Sequence, residues 1–400
     1  MKKKCINQAV ILAGGLGTRL RPFTDTMPKP MYPINGIPFI DHLLNQVKSF
    51  GIKDVVILLG YLPDKVTDYV GDGKKYGLNI TYDISPVEFD SGARLLHAKN
   101  LLDEKFLLMY CDNYCPIDFN RVVEEFFSNK ADIQLSVYAN KDNYTKSNLI
   151  INDDGLVTLY DKSRKSENLL GTEIGYSIVK KDVLNLFGNN DLNFSSALFP
   201  ELIKKKKLYA TVTEHRYYSI GSFDRMHLTE EFFKNKKVVF LDRDGTLNVR
   251  APKACYIENP KDFVWLDGAM EAINLLNDND YITVLVSNQP GIARGNLTVE
   301  MLDKIHNKMQ KDLKKIGAKI DYIYYCPHNW DEGCDCRKPK PGMLYQAQKD
   351  LSININNCIL FGDDERDIAA ADAANCKSVL ITEEYPLIQA VKDYLRKVEE

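Results

Sequence analysis

Short apolar runs recur through this chain at residues 9–13, 55–59, 106–111 and 133–138, separated by segments of helical length and period such as 40–50 and 94–102. A strand that is apolar on both faces needs helices on both sides of its sheet, so the alternation predicts parallel α/β layering. After Ile150 the rhythm loosens, and Asn152-Asp153-Asp154-Gly155 has hairpin-turn chemistry, which predicts an inserted β-rich segment. The rhythm restarts past Lys234-Asn235-Lys236-Lys237, with apolar runs at 238–241, 282–286, 323–326, 359–361 and 379–381 and helical segments at 270–276, 299–314 and 366–374. The fold class read from this is α/β, two doubly wound Rossmann-like domains at residues 1–233 and 236–400. A chain of 400 residues with 44% hydrophobic content can fill two such cores.

A formal net charge of −3 supplies no global basic field, so neither nucleic acid nor an anionic membrane is expected as a partner. No uninterrupted apolar stretch approaches the roughly 18 to 20 residues needed to span a bilayer. The start, Met1-Lys2-Lys3-Lys4, precedes an apolar run too short for a signal peptide, and nine cysteines make an uneven count for a disulfide framework. The expected setting is cytoplasmic, with a homo-oligomer left open.

Leu12-Ala13-Gly14-Gly15-Leu16-Gly17-Thr18-Arg19-Leu20 leaves a strand through three glycines, so backbone N–H groups can approach a polyphosphate without side-chain obstruction. It is not a dinucleotide fingerprint, because Leu20 stands where glycine or alanine is needed, and no Walker lysine follows. The continuation Arg21-Pro22-Phe23-Thr24 and Pro28-Lys29-Pro30-Met31 adds cations, and Arg19 and Lys29 suit the charge that builds on a departing pyrophosphate. The pattern over residues 7–230 resembles the sugar-phosphate nucleotidyltransferase family. The resemblance implies a nucleoside triphosphate site at Leu12, Ala13, Gly14, Gly15, Gly17, Thr18 and Gly92, with Arg19 and Lys29 catalytic. It further implies that Asp112 holds magnesium, that Lys162 meets the sugar phosphate, and that Glu173 and Gly175 form the sugar-contacting turn.

The sequence departs from that family in three places. Cys111 stands where a glycine is usual, and Phe89 replaces a glycine in the base-contacting segment Glu88-Phe89-Asp90-Ser91-Gly92-Ala93, which leaves the base open. Ser219 stands where a second metal aspartate is expected, so Asp224 or the substrate phosphates would have to compensate.

In the second half, the apolar run Val238-Val239-Phe240-Leu241 ends in Asp242-Arg243-Asp244-Gly245-Thr246. Alternate residues of an extended segment point the same way, so both carboxylates are expected to face one site. Asp242 there is expected to be the nucleophile that becomes an aspartyl-phosphate, and Asp244 the acid and base. A carboxylate is repelled by a phosphate dianion, so magnesium is expected on Asp242, Asp244 and a further acid, Asp363, at another strand end. Ser287, Asn288 and Gln289 close a third strand and suit the phosphoryl oxygens, while Arg337-Lys338-Pro339 offers Lys338 to neutralise the phosphorylated aspartate.

These four motifs in order resemble the haloacid dehalogenase superfamily across 237–390. Within it, residues 240–248 and 287–295, the latter ending in Arg294-Gly295, are similar to the D-glycero-D-manno-heptose 1,7-bisphosphate and histidinol phosphatases, with Pro290 at a usual serine position. Arg294 and Arg337 join Asn288 and Gln289 as expected substrate contacts. Cys326, His328, Cys334 and Cys336 make a closed four-ligand set suited to structural zinc, which would stiffen the loop before Arg337 and Lys338. Taken together, the resemblances imply a two-step enzyme. A phosphatase would make heptose 1-phosphate from the 1,7-bisphosphate, and a nucleotidyltransferase like the heptose 1-phosphate guanylyltransferases would couple it to GTP. CTP with another sugar or polyol phosphate, and a first domain that only binds a sugar nucleotide and regulates, remain open alternatives.

Overall fold

Burial on both faces organises the first strand of the computed structural model, in which Ala9, Ile11 and Ala13 enter one core cluster and Val10 the other. The structure describes residues 5–188, 192–252 and 255–399; Met1 to Lys4 lie outside them. The chain divides into two compact units, Met1–Phe233 and Lys234–Glu400.

The strands of the first unit are β1 (Gln8–Ala13), β2 (Pro33–Ile34), β3 (Ile37–Pro38), β4 (Asp54–Leu59), β5 (Asn79–Ile84), β6 (Lys105–Tyr110), β7 (Asn113–Tyr114), β8 (Ile133–Tyr138), β9 (Leu149–Ile151), β10 (Val157–Tyr160), β11 (Thr172–Lys180), β12 (Leu208–Thr213) and β13 (Tyr218–Ser219). Seven of them form one sheet in the order β12-β8-β11-β6-β1-β4-β5. One face is covered by helices Phe39–Ser49 and Phe119–Ser128, the other by Ser91–His97 and Phe194–Lys204. Helix Phe39–Ser49 forms because Phe39, Ile40, Leu43, Leu44 and Val47 recur at helical spacing and make one buried stripe.

The sheet is not wholly parallel, since β11 runs antiparallel to both β6 and β8. The reason is the insertion that follows β8. Hairpin β9–β10 turns at Asn152 to Gly155, with the Gly155 amide on the Asn152 carbonyl at 2.9 Å. With no crossover helix to return the chain to the far edge, β11 re-enters from the end where β8 left.

The second unit holds β14 (Val238–Leu241), β15 (Ile282–Asn288), β16 (Tyr322–Cys326), β17 (Ile359–Gly362) and β18 (Lys377–Leu380). All are parallel, in the order β16-β15-β14-β17-β18. Val239 and Leu241 pack with Ile273, Leu302 and Ile305 on one face, Val238 and Phe240 with Met343, Leu344 and Leu351 on the other. The register aligns Leu241 with Leu285 and Phe361, so residues 242, 287 and 363 leave three neighbouring strands at the same edge. Among the described residues, no helix is long and apolar enough to cross a membrane. Phe240 is fully buried, and Phe240→Ala is expected to cost the second unit about 3–5 kcal/mol, measured by chemical denaturation.

Candidate functional site

Each unit gathers polar side chains at the carboxyl ends of its parallel strands. In the second unit Asp242 is buried, and Lys338 Nζ donates to its Oδ1 at 2.6 Å and to the Val286 carbonyl at 2.8 Å. The same amine pairs with Asp367 Oδ1 at 2.5 Å. Burial pushes the Asp242 carboxyl up, Lys338 pulls it back, and Asp367 and Asp244 push it further. Asn288 fixes the lysine: its Nδ2 donates to the Lys338 carbonyl and its Oδ1 accepts the Lys338 amide, both at 3.0 Å.

Asp242, Asp363 and Asp367 each present a carboxylate oxygen within 4.8 Å of the others. Asp363 Oδ1 is buried with no hydrogen-bond partner, while its Oδ2 meets Arg250 at 2.9 Å. An orphaned buried carboxylate oxygen beside two more acids is the donor set a hard divalent cation fits. Gly245 makes the approach possible, because at φ 101° a Cβ there would come within 2.0 Å of Asp363 Oδ2.

The Asp244 carboxylate is not in that group. The amides of Leu247 and Asn248 turn back onto the Arg243 carbonyl at 2.8 and 3.1 Å, so the chain curls after Asp242 instead of staying extended. Asp244 then accepts from Arg243 Nη2 (2.8 Å), Asn248 Nδ2 (3.0 Å) and Gln289 Nε2 (3.0 Å). Burial alone would raise its pKa, but Arg243 and these donors hold it below the ordinary carboxylate value. Gln289 also donates to Ser287 Oγ at 2.8 Å and accepts from Arg243 at 3.1 Å, so its amide is committed within the protein. Asp242, Asn288, Arg294, Arg337 and Lys338 line a cavity of about 570 Å³.

Arg250, Arg366 and Asp367 belong to this cavity and were not singled out by the sequence. Asp367 had a signal: with Asp364 it forms a capping box at the start of helix Glu365–Ala373, which turns its carboxylate toward the end of β17. Arg366 lies in the same first turn and forks onto Asp364 at 2.8 Å through Nε and Nη2.

Cys326 ends β16, and its Sγ lies 3.6 Å from both His328 Nδ1 and Cys334 Sγ; His328 Nδ1 is 3.3 Å from Cys336 Sγ. These separations suit four ligands about one tetrahedral ion. Arg337, next in sequence, donates to the His328 carbonyl at 3.3 Å.

In the first unit the loop after β1 carries Gly14 to Arg19, exposed from Gly15 onward apart from half-buried Gly17. Gly17 is left-handed at φ 63°, and a Cβ there would press to 3.1 Å on Lys29 and Thr24. Lys29 is buried between prolines, and its Nζ pairs with Asp112 Oδ2 at 2.5 Å. The Cys111 amide donates to the Leu12 carbonyl at 3.2 Å, which ties the ends of β6 and β1. A methyl placed on Gly221 would lie 3.8 Å from both the Arg19 guanidinium and the Asp112 carboxylate, so both groups lie beside this glycine.

Ser219 sits beside Asp112 but is occupied: its Oγ donates to the Asp112 carbonyl at 3.1 Å and accepts the Gly221 amide at 2.9 Å. Asp224 is exposed on helix Phe223–Phe232, and among the described residues Asp112 joins no group of three metal-ligating side chains. Gly92 is enclosed, since a Cβ there would strike Phe187 at 2.4 Å and the Leu192 carbonyl at 2.5 Å, so packing accounts for this glycine.

Lys162 donates to Ser196 Oγ at 2.9 Å, one residue from Ser195, whose Oγ lies 3.4 Å from the Tyr110 hydroxyl. A Cβ on left-handed Gly175 would touch the Tyr110 ring at 3.0 Å. Glu173 accepts the Gly175 amide at 2.7 Å. Burial pushes its carboxyl up to about 7, with Asp112 adding to the rise. The folded state therefore holds a proton that the unfolded chain has lost, and stability falls as pH rises from about 4.5 to about 7. Glu173→Gln is expected to be near neutral at pH 4 and stabilising at pH 8, read from thermal melts at the two values.

Comparison with known proteins bears on both units. The profile of the family described as Nucleotidyl transferase matches residues 8–157, and that of Polynucleotide kinase 3 phosphatase matches 237–379. The D-glycero-beta-D-manno-heptose-1,7-bisphosphate 7-phosphatase of Pasteurella multocida is 41% identical over 152 residues, 36% of this chain and 81% of that protein. The protein of the same name from Haemophilus influenzae is 38% identical over 169 residues, 40% of this chain and 90% of that one. Among solved structures, the D,D-heptose 1,7-bisphosphate phosphatase of B. bronchiseptica, complexed with magnesium and phosphate, is 31% identical, covering 40% of this chain and 99% of that one (TM-score 0.38). HddC from Yersinia pseudotuberculosis is 23% identical, covering 56% and 99% (TM-score 0.49).

Proposed function

Through its second unit the chain belongs to the D-glycero-beta-D-manno-heptose-1,7-bisphosphate 7-phosphatase family, and because a nucleotidyl transferase domain precedes that unit, we propose two consecutive steps of nucleotide-sugar synthesis in one polypeptide. The second unit, from about residue 236, removes the 7-phosphate of a heptose 1,7-bisphosphate. The first, residues 1–233, joins the remaining heptose 1-phosphate to GTP with release of pyrophosphate. The observation that carries the reading is the meeting of Asp242, Asp363, Asp367 and Lys338 at the ends of two adjacent parallel strands.

Asp242 attacks phosphorus through a carboxylate oxygen, and the bond to the sugar oxygen breaks. Asp244, aligned by Arg243, Asn248 and Gln289, protonates the departing alkoxide. Water then attacks the aspartyl-phosphate, Asp244 takes its proton, and inorganic phosphate leaves with Asp242 restored. Lys338 balances charge on Asp242 throughout, and Arg294 and Arg337 meet the substrate's anionic groups. Asp242 and Asp363, with Asp367 beside them, would hold magnesium, which would supply Lewis acidity and offset the repulsion between carboxylate and phosphate. In the first unit the Gly14–Thr18 amides cradle the triphosphate, and Arg19 and Lys29 stabilise the leaving pyrophosphate. Asp112, paired with Lys29, would hold magnesium there. An uneven count of nine cysteines, three of them gathered with His328, supports a reducing, cytoplasmic setting.

A second reading has one specific support. Ser219 is bound to backbone, and among the described residues Asp112 joins no group of three metal-ligating side chains, as a first unit that binds sugar nucleotides without turning them over would tolerate. Kinetics with four nucleoside triphosphates and heptose 1-phosphate separate the two. Pyrophosphate release that Lys29→Ala lowers by about a hundredfold or more supports the transferase, and none from the wild type supports the regulator. Asp242→Asn is expected to lower phosphate release from the bisphosphate by at least about a thousandfold, and unchanged turnover would remove the aspartyl-phosphate mechanism.

The cysteine cluster is assigned to structural zinc. Elemental analysis is expected to find one zinc per chain, Cys334→Ser to lose it, and phosphatase activity to fall with it; a metal-free protein of full activity would refute the assignment.

A further inference from the structure

Arg94 is a buried cation that neither proposed reaction uses. It lies in helix Ser91–His97 and is 3% exposed. Nη1 donates to the Leu59 carbonyl at 3.0 Å and to Ser85 Oγ at 2.8 Å; Nη2 donates to the carbonyls of Gly14 and Val87, both at 3.0 Å. No carboxylate pairs with it among the described residues, although Asp83, Asp90 and Glu88 act on it from a distance. A guanidinium stays protonated in such a place, so a full positive charge is fixed there.

Two glycines make room for it. A Cβ on Gly14 would fall 2.3 Å from Arg94 Cζ, and one on Gly60 would fall 2.5 Å from Nη1. Gly14 directly follows β1 and Gly60 directly follows β4, so the guanidinium fastens together two strand ends and the 85–87 segment after β5. The Gly14 carbonyl also accepts the Tyr61 amide at 3.2 Å, and both of its lone pairs are engaged.

In a trans peptide the C=O of one residue and the N–H of the next point in opposite directions. A Gly14 carbonyl held inward therefore turns the Gly15 amide outward, onto the exposed side of the loop. Among the described residues, the amides of Gly15, Leu16, Gly17 and Thr18 have no protein acceptor.

We propose that Arg94 is a positioning residue for the triphosphate loop: beneath Gly14, its guanidinium presets the outward amides and adds a fixed positive charge behind them. The inference rests on the reading of the first unit as a triphosphate site. A nucleoside triphosphate meets a loop already oriented for its phosphates, whereas the sugar phosphate, bound elsewhere, gains nothing from Arg94.

The test uses the full chain and the variants R94M and R94K, with circular dichroism and thermal melting against wild type as the check on folding. R94M removes the charge and the two-pronged donor, and its KM for the triphosphate is expected to rise about tenfold or more with KM for the sugar phosphate unchanged. R94K keeps the charge but cannot reach both sets of acceptors, and its KM for the triphosphate is expected to lie between wild type and R94M. Wild-type triphosphate KM in R94K, R94K no better than R94M, or equal losses for both substrates would each overturn the proposal. Should R94M lose the fold of the first unit, R94K alone decides by the same criteria. A wild type that releases no pyrophosphate with any of the four triphosphates overturns the transferase reading, and this inference with it.

Discussion

A parallel sheet covered on both faces has only its ends to offer to chemistry. Both units of this chain are built under that constraint. In the second, the all-parallel register brings Asp242, Ser287 and Asp363 out side by side; in the first, β6, β1 and β4 deliver Asp112, the glycine loop and Gly60 to one edge. The apolar interior sets the register, because a one-residue slip would turn buried Val239 and Leu241 to the wrong layer. Catalytic geometry in such a fold is a by-product of hydrophobic packing several ångströms away.

The two edges share an electrostatic device. Each pairs a strand-end aspartate with a lysine carried on a proline-flanked loop, Lys29 on Asp112 and Lys338 on Asp242. The second pair is nearly dry, with side-chain exposures of 3% and 9%, whereas Asp112 keeps 24%. A buried ion pair is tolerable only when every charge is met, and Lys338 meets two acids and a carbonyl. The more open pair in the first unit leaves its carboxylate less firmly committed.

What the sequence made legible follows from what is local. Alternating strand and helix periods, the turn at Asn152 to Gly155, the glycine loop and the acids closing β14 and β17 can all be read from neighbours in the chain. The antiparallel entry of β11 could not, because it depends on where the inserted hairpin leaves the chain. The expectation that Asp242 and Asp244 face one site assumed an extended strand; the chain curls onto the Arg243 carbonyl instead, which sets Asp244 on Arg243 and Gln289 in the same cavity as Asp242 but outside the carboxylate group of Asp363 and Asp367. Gln289 reads as a phosphate contact by type and position, yet its amide is consumed by neighbours from distant segments. Arg94 was invisible for the same reason: its meaning lies in carbonyls contributed by residues 14, 59 and 87.

The cysteine and histidine loop begins at Cys326, which pairs in register with Asn288, and ends at Lys338, which Asn288 grips by both amide and carbonyl. Its two ends are thus pinned to the same residue of the neighbouring strand. A bridge between thiols so close in sequence withdraws little freedom from the disordered polypeptide, since closure entropy grows with the length spanned. Ligation there would act as a splint on the backbone carrying the lysine, a matter of local rigidity more than of how hard the whole domain is to melt.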